Sequence, residues 1–151
     1  MPQSLDLVYL HTIFSTKDRH PYFQTPDQQR ELHAYLASVS NNLNCPAIKV
    51  GGVADHVHML TRLPRTLTIA DFVKEAKRVS SQWLHERGDP WTGFRWQAGY
   101  GVFSVSASKV PQVEKYILNQ PEHHRTQSFQ DEYREFLNRH GVAFDERYVW
   151  D

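Results

Sequence analysis

The strongest constraint on the fold is the order in which two hydrophobic periodicities alternate along the chain. LDLVYLHTIF (5–14), PAIKVGGVADHVHMLTRL (46–63) and YGVFSVSAS (100–108) are short, rich in β-branched and aromatic residues, and read as strands. The middle run is divided by the Gly51-Gly52 turn signal into two strands. Between these runs lie two stretches with helical spacing. In DQQRELHAYLASVSNNL (27–43), Leu32, Tyr35, Leu36, Val39 and Leu43 carry the helical rhythm, with Thr25 placed to cap and Pro26 suited to the first turn. In TLTIADFVKEAKRVSSQWLHERG (66–88), Ile69, Phe72, Val73, Ala76, Trp83 and Leu84 form one apolar stripe that Gly88 ends. KVPQVEKYILNQPEHH (109–124) and SFQDEYREFLNRHG (128–141), the latter with Ser128 as cap, read as two further helices; the tail from 142 to 151 is ambiguous. The order β-α-β-β-α-β is the split βαβ, ferredoxin-like arrangement: an α+β domain with an antiparallel sheet, plus C-terminal helices. Helices on one face of such a sheet leave the other free to carry a site.

At 151 residues the chain suits a single domain with a real core, spanning 1–151 without repeat, low-complexity tract or linker. No apolar run approaches the roughly 20 residues of a membrane span. MPQSLDLVYL has neither the basic nor the apolar region of a signal peptide. Cys45 is the only cysteine, which excludes an internal disulfide and points to a reducing compartment. Lys plus Arg and Asp plus Glu number 17 each. That balance argues against a surface coated in positive charge, although a local basic patch is enough to hold a few phosphates.

Several side chains invite chemistry. His56 and His58 are two apart on a strand, so both imidazoles point the same way, about 7 Å apart, while Val57 and Met59 face a core. They are either a metal-binding pair or two exposed histidines on an open sheet face, where truncation would leave no core cavity. Leu60 stands where a histidine-triad hydrolase needs a third histidine, and the His-x-Thr or His-x-Ser pairs of two-histidine phosphoesterases are missing. Tyr116 and Gln120 stack one turn apart in VEKYILNQPEHH, with Gln112 a turn earlier and Val113 and Ile117 on another face. Tyr116 is a nucleophile or a surface tyrosine with a wet hydroxyl. Lys74, Lys77, Arg78 and Ser81 lie opposite the apolar stripe of their helix, and Lys17 and Arg19 lie in the first loop; both groups track phosphates or are merely solvated. Trp91, Phe94, Trp96 and Tyr100 stack unpaired bases or close a core. His123 and His124 complement a helix dipole or approach a metal.

Together, HVH on the strand after the central turn and YILNQ on the helix after the fourth strand resemble the single-tyrosine HUH transposases of bacterial insertion sequences, a set that includes the REP-associated tyrosine transposases. The resemblance extends over LHTIFSTKDRHPYF, GGVADHVHML, WQAGYGVFSVS, VEKYILNQPEHH and EFLNRHGVAFDERYVW, nearly the whole chain. It implies that His56 and His58 are the metal pair, Tyr116 the nucleophile and Gln120 the third protein ligand. The implied activity is metal-dependent strand transfer on single-stranded or hairpin DNA, through a 5′-phosphotyrosine and a free 3′-hydroxyl. Two imidazoles, an amide oxygen and water suit Mg²⁺ or Mn²⁺ better than a closed zinc site. A phenol of pKa near 10 leaves more readily than an alkoxide, so the covalent link passes to a second DNA 3′-hydroxyl without ATP; the chain carries no Gly-x-x-x-x-Gly-Lys loop. The implied partners are DNA and a second copy of the chain, in a homodimer whose composite sites form in trans, with Ser104–Ser108 a flexible lead into the tyrosine helix. The implied location is the bacterial cytoplasm, acting at the nucleoid and away from membranes. Two rival readings remain: a non-catalytic or domesticated DNA-binding protein, and a phosphoesterase in which Tyr116 is a bystander.

Overall fold

The computed structural model describes residues 2–151; Met1 lies outside the described residues. Its core elements are β1 (Tyr9–Ser15), α1 (Pro26–Asn42), β2 (Ala47–Gly52), β3 (His56–Arg62), α2 (Ile69–Glu86) and β4 (Gly101–Val105). The strands form one sheet in the order β2-β3-β1-β4, with every neighbouring pair antiparallel. This is the α+β, ferredoxin-like arrangement expected from the sequence.

The helices start where the chain offers donors a partner. Thr25 and Gln28 form a reciprocal capping box at α1, and Pro26 occupies its first position, where no N–H is needed. Thr68 accepts from the Asp71 N–H at the start of α2. Both helices then bury their stripes on one face of the sheet: Leu32 and Leu36 of α1 and Phe72, Val73, Ala76 and Leu84 of α2 pack with Phe14, Val57 and Met59.

The second face is not open. α3 (Val110–Leu118), α4 (Gln120–His123) and α5 (Phe129–Arg139) follow β4, and Phe129, Tyr133 and Leu137 of α5 bury Ile13 and Phe103 of the sheet. His56 and His58 on this face are fully buried, at 0% exposure each. The expectation of a bare face fails because Ile13 and Phe103 make that face apolar, and apolar surface is covered when an amphipathic helix is at hand. Phe144, Val149 and Trp150 of the tail extend the cover. Alanine at either histidine would therefore leave a core cavity.

Three smaller departures concern element ends. Gly51 and Gly52 do not form the turn but pair within β2 with His58 and Val57, and the turn falls at residues 53–55. β1 begins at Tyr9, since Leu5 and Leu7 before it are exposed. The tyrosine helix is interrupted at Asn119, with Pro121 just beyond. The break is slight: the Asn119 N–H still donates to the Lys115 carbonyl at 3.0 Å and His124 to Gln120 at 3.0 Å, so Tyr116 and Gln120 stay one turn apart.

Two glycines let the second layer of helices close. A Cβ on Gly51 would lie 2.7 Å from Cγ2 of Ile117 on α3, and one on Gly101 would lie 2.7 Å from Cε2 of Tyr133 on α5. Gly101→Ala should thus push α5 off the sheet and lower stability by about 1–3 kcal/mol, the range for overpacking a tight core. Gly93→Ala, where the space is open, should be near neutral. Urea unfolding of the two variants beside the parent measures both.

Candidate active site

Three elements deliver the site. β3 presents His56 and His58 on one face because they are two apart, in register with Ser15 and Ile13 of β1. α3 and α4 deliver Tyr116 and, one turn on, Gln120, which is 0% exposed. α5, capped by Ser128 accepting from the Asp131 N–H, delivers Glu132, which is 1% exposed.

Glu132 is the centre. Its Oε1 lies 3.3 Å from His56 Nε2, 3.1 Å from His58 Nε2 and 3.1 Å from His124 Nε2. Its Oε2 accepts from Gln120 Nε2 at 3.0 Å and from the Tyr116 hydroxyl. Gln120 Oε1 faces His56 Nε2 at 3.0 Å. So His56, His58, Tyr116 and Gln120, singled out from sequence, meet within one chain. Glu132, His124 and His11 join them.

The far nitrogens of the imidazoles decide what the near ones offer. His56 Nδ1 lies 2.7 Å from the Asp55 carboxylate, which only accepts, so Nδ1 carries the proton. His124 Nδ1 likewise donates to the Gln127 carbonyl at 2.7 Å. In their neutral forms both rings therefore aim an Nε2 lone pair at the centre. His58 Nδ1 is braced by His11 Nε2 at 2.8 Å. Carboxylate or carbonyl behind an imidazole, lone pair in front, is how proteins orient metal ligands. His124 Nε2 is buried and makes no hydrogen bond despite its short distance to Glu132, as expected where a lone pair faces an anion. The four donor atoms of His56, His58, His124 and Glu132 lie within 4.8 Å of one another. The donor set fits a divalent cation.

Without a cation, protons hold the cluster together. Burial pulls His56 down, but its bonds to Asp55 and Glu132 outweigh burial and raise it to about 9. Burial dominates at His58 and lowers it to about 4, with only partial opposition from Glu132. Burial alone would raise Glu132, yet the surrounding imidazoles hold it well below the usual carboxylate range. Burial, with the adjacent Glu132 charge, pushes the Tyr116 phenol above its ordinary value. The resting state is thus an ionised carboxylate, a charged His56 and a protonated phenol. The edge toward solvent is formed by half-buried Tyr116 and by His123, 39% exposed, whose rings meet edge to face at 5.1 Å.

The residues suggested as DNA contacts lie elsewhere. Lys77 donates to the carbonyls of Gln97 at 2.8 Å, Ala98 at 3.3 Å and Gly99 at 2.7 Å, and burial lowers its pKa to about 8. Arg78 pairs with Glu75 at 2.6 Å, and Arg19 stacks over Trp150 at 5.7 Å. Lys17 and Lys74 are exposed. Of the four aromatics, Trp91, Phe94 and Trp96 enter the core, and Tyr100 remains 38% exposed.

Glu132 had a signal in the sequence. Phe129, Tyr133, Phe136 and Leu137 form the stripe of α5, and Glu132 falls on that stripe. A carboxylate at a core position needs partners. His11 sits within the apolar run of β1, two residues before Ile13 and so on the same face.

The fold is one shared with solved transposases. The chain matches the family model described as IS200-like transposase over residues 4–120, and it belongs to that family. It is 28% identical over 117 residues to the IS200 transposase of Salmonella typhimurium, covering 74% of this chain and 76% of that one. Identity to the ISDra2 transposase TnpA of Deinococcus radiodurans is also 28% over 117 residues, covering 73% and 81%. The structure of a putative transposase from Deinococcus radiodurans superposes with a TM-score of 0.63 at 26% identity, over 80% of this chain and 95% of that one. A REP-associated tyrosine transposase, solved bound to a REP hairpin, shares the fold at a TM-score of 0.57 and 15% identity, over 82% and 74%. Among the described residues no helix is long and apolar enough to cross a membrane.

The raised His56 has a consequence for stability. A histidine at about 9 when folded and at its ordinary 6.5 when unfolded contributes fully below pH 6.5, and loses that contribution as pH climbs toward 9. With chelator present, the melting temperature should fall between pH 6.5 and 8. His56→Gln should flatten that fall, as calorimetry across the range will show.

Proposed function

We propose that this transposase cleaves and rejoins single-stranded or hairpin DNA through a covalent bond from Tyr116 to a DNA 5′-phosphate, with a divalent cation, Mg²⁺ or Mn²⁺, at the histidine cluster. The observation that carries the reading is the gathering of His56, His58, His124 and Glu132, with donor atoms within 4.8 Å of one another, beside the Tyr116 hydroxyl, which bonds Glu132. His56, His58, His124 and Glu132 would hold the cation, with the Gln120 amide oxygen at its side. Bound there, the cation supplies positive charge against the oxygens of a phosphoryl group. An added imidazole beyond the pair read from sequence favours Mn²⁺ over Mg²⁺ in affinity.

The chain's own residues do the rest. Tyr116 Oη is the nucleophile; it attacks a DNA phosphorus, and the bond to the 3′-oxygen breaks to leave a 3′-hydroxyl. Glu132 Oε2 accepts the hydrogen bond of the phenol and is the acceptor placed for its proton. Gln120 fixes that carboxylate from the next helical turn. The covalent phosphotyrosine retains the bond energy for a second 3′-hydroxyl to claim. That a related fold has been solved on a REP hairpin supports hairpin DNA as the substrate class.

The working site, on this proposal, forms in cis. The Tyr116 and His58 ring centroids are 5.8 Å apart within one chain, so the composite dimer implied by the sequence resemblance is not needed to complete it. Three outcomes of one assay separate the possible activities. On labelled single-stranded DNA with Mn²⁺, a covalent adduct on a denaturing gel supports strand transfer, free cleaved product a phosphoesterase, and retention alone a DNA-binding protein.

Tyr116→Phe should abolish the adduct, a loss of more than about 100-fold as befits removal of the nucleophile, while DNA binding survives. His58→Gln, chosen over alanine to avoid a cavity, should abolish the metal-dependent reaction as well. Mixing these two variants under conditions of subunit exchange then distinguishes the arrangements. A cis site leaves every copy defective and the mixture inactive, whereas recovered adduct would assign Tyr116 to the partner's histidines.

A further inference from the structure

The chain has no net charge, yet its cations are not evenly spread. A cavity of about 470 Å³ opens between α2 and the segment 94–100. Lys74, Lys77, Arg78 and Arg95 line it, and no carboxylate does. Its floor is apolar, made of Val73, Phe94 and Trp96, and Tyr100 stands at its wall with 38% of its surface exposed. The volume falls in the range of small-ligand sites. A second cavity, of about 400 Å³, shares Arg95 and adds Lys17 and Arg19 against the single acid Asp18.

The two cavities belong to one rigid unit. The Lys17 N–H donates to the Arg95 carbonyl at 2.9 Å, and Thr16 bridges to Trp96. Trp96 is fixed by its indole N–H donating to Ser80 Oγ at 3.0 Å. Lys77 holds three successive carbonyls of residues 97–99 and so positions the wall that carries Tyr100. The unit also reaches the catalytic end of the sheet: the Thr16 N–H donates to the Asp55 carbonyl at 2.9 Å, and Asp55 orients His56.

We propose that this surface is a single-stranded DNA track, in which the α2 cavity takes one unpaired base against Tyr100 and Lys74, Arg95 and Arg78 meet the flanking phosphates. It deepens the strand-transfer reading and rests on DNA being the substrate. Charge complementarity selects the occupant: in the α2 cavity, cations without a lining acid around an apolar floor match a base flanked by phosphates, whereas an apolar peptide would leave the rim cations unmatched. Lys77 is a positioning residue, its ammonium already spent on carbonyls. Arg78 is only loosely held, since an exposed pair with Glu75 is worth little and can re-aim.

The test uses the full chain carrying Tyr116→Phe, so that binding is read without cleavage. The probes are a fluorescein-labelled oligothymidylate of about 20 nucleotides, enough to span such a site, and a blunt duplex of the same length, both followed by anisotropy. Tyr100→Ala should weaken oligothymidylate binding about tenfold, the loss of one stacked base, and leave duplex binding within about twofold. Tyr100→Phe should restore it. Lys74→Gln with Arg95→Gln should lower the salt slope for the single strand by about 1.4, two phosphate contacts at the single-strand value. Unchanged affinity in Tyr100→Ala, or an equal loss on single strand and duplex, would overturn the base site. An unchanged salt slope would overturn the phosphate contacts. Because anisotropy needs no covalent chemistry, a parent chain that forms no adduct yet loses binding with Tyr100→Ala would sink the strand-transfer reading and leave this one standing.

Discussion

A carboxylate at 1% exposure in the middle of a sheet face organises this molecule. Taking such a charge out of water costs several kcal/mol unless it is paired and hydrogen-bonded. Glu132 meets that cost by drawing partners from separate elements: His56 and His58 from β3, Tyr116 from α3 and Gln120 from α4. Each partner's position follows from the others. Removing Glu132 would leave charged His56 buried with Asp55 as its one carboxylate partner, beside the Gln120 amide oxygen, and removing the histidines would strand the carboxylate. The same convergence that stabilises the resting chain also gathers nitrogen and oxygen donors at cation-binding distance beside a phenol, so the structural constraint and the chemistry have one origin.

The second layer of helices follows from this arrangement. α5 has to lie close over the sheet for Glu132 to reach β3, and the bare backbone of Gly101 allows it. α3 closes over Gly51 for the same reason, which sets Ile117 into the sheet and turns Tyr116 toward the cluster. The tail completes the cover by packing Trp150 near Phe129 and Tyr133. The 4–120 span of the family match ends before Glu132 and His124, so in this chain the site is finished by residues that lie beyond that span.

What the sequence made legible was local. Caps at Thr25 and Ser128, the stripe of α2 from Phe72 to Leu84 and the two-residue spacing of His56 and His58 are short-range patterns, and the structure carries each of them; Ile69, read as the start of that stripe, is exposed. Tyr116 and Gln120 were readable for the same reason, one helical turn apart. The buried second face was not readable, because it depends on Ile13 and Phe103 meeting the stripe of α5, more than a hundred residues from the first and about thirty from the second along the chain. Glu132 looked like one acid in a charged helix until its neighbours on the stripe were known to be buried. Lys77 illustrates the converse: on a helical wheel it is a free cation, and only the fold places three carbonyls around it.

We infer that the histidines and Glu132 form a cation site, of which the protonated ion-pair cluster is the empty form. Anomalous diffraction from crystals equilibrated with Mn²⁺ tests it most directly. One strong peak should appear, bonded to His56 Nε2 and His58 Nε2 beside the Tyr116 hydroxyl, and it should be lost in His58→Gln crystals. Crystals saturated with Mn²⁺ that show no peak there, with Glu132 still seated on the imidazoles, would contradict it.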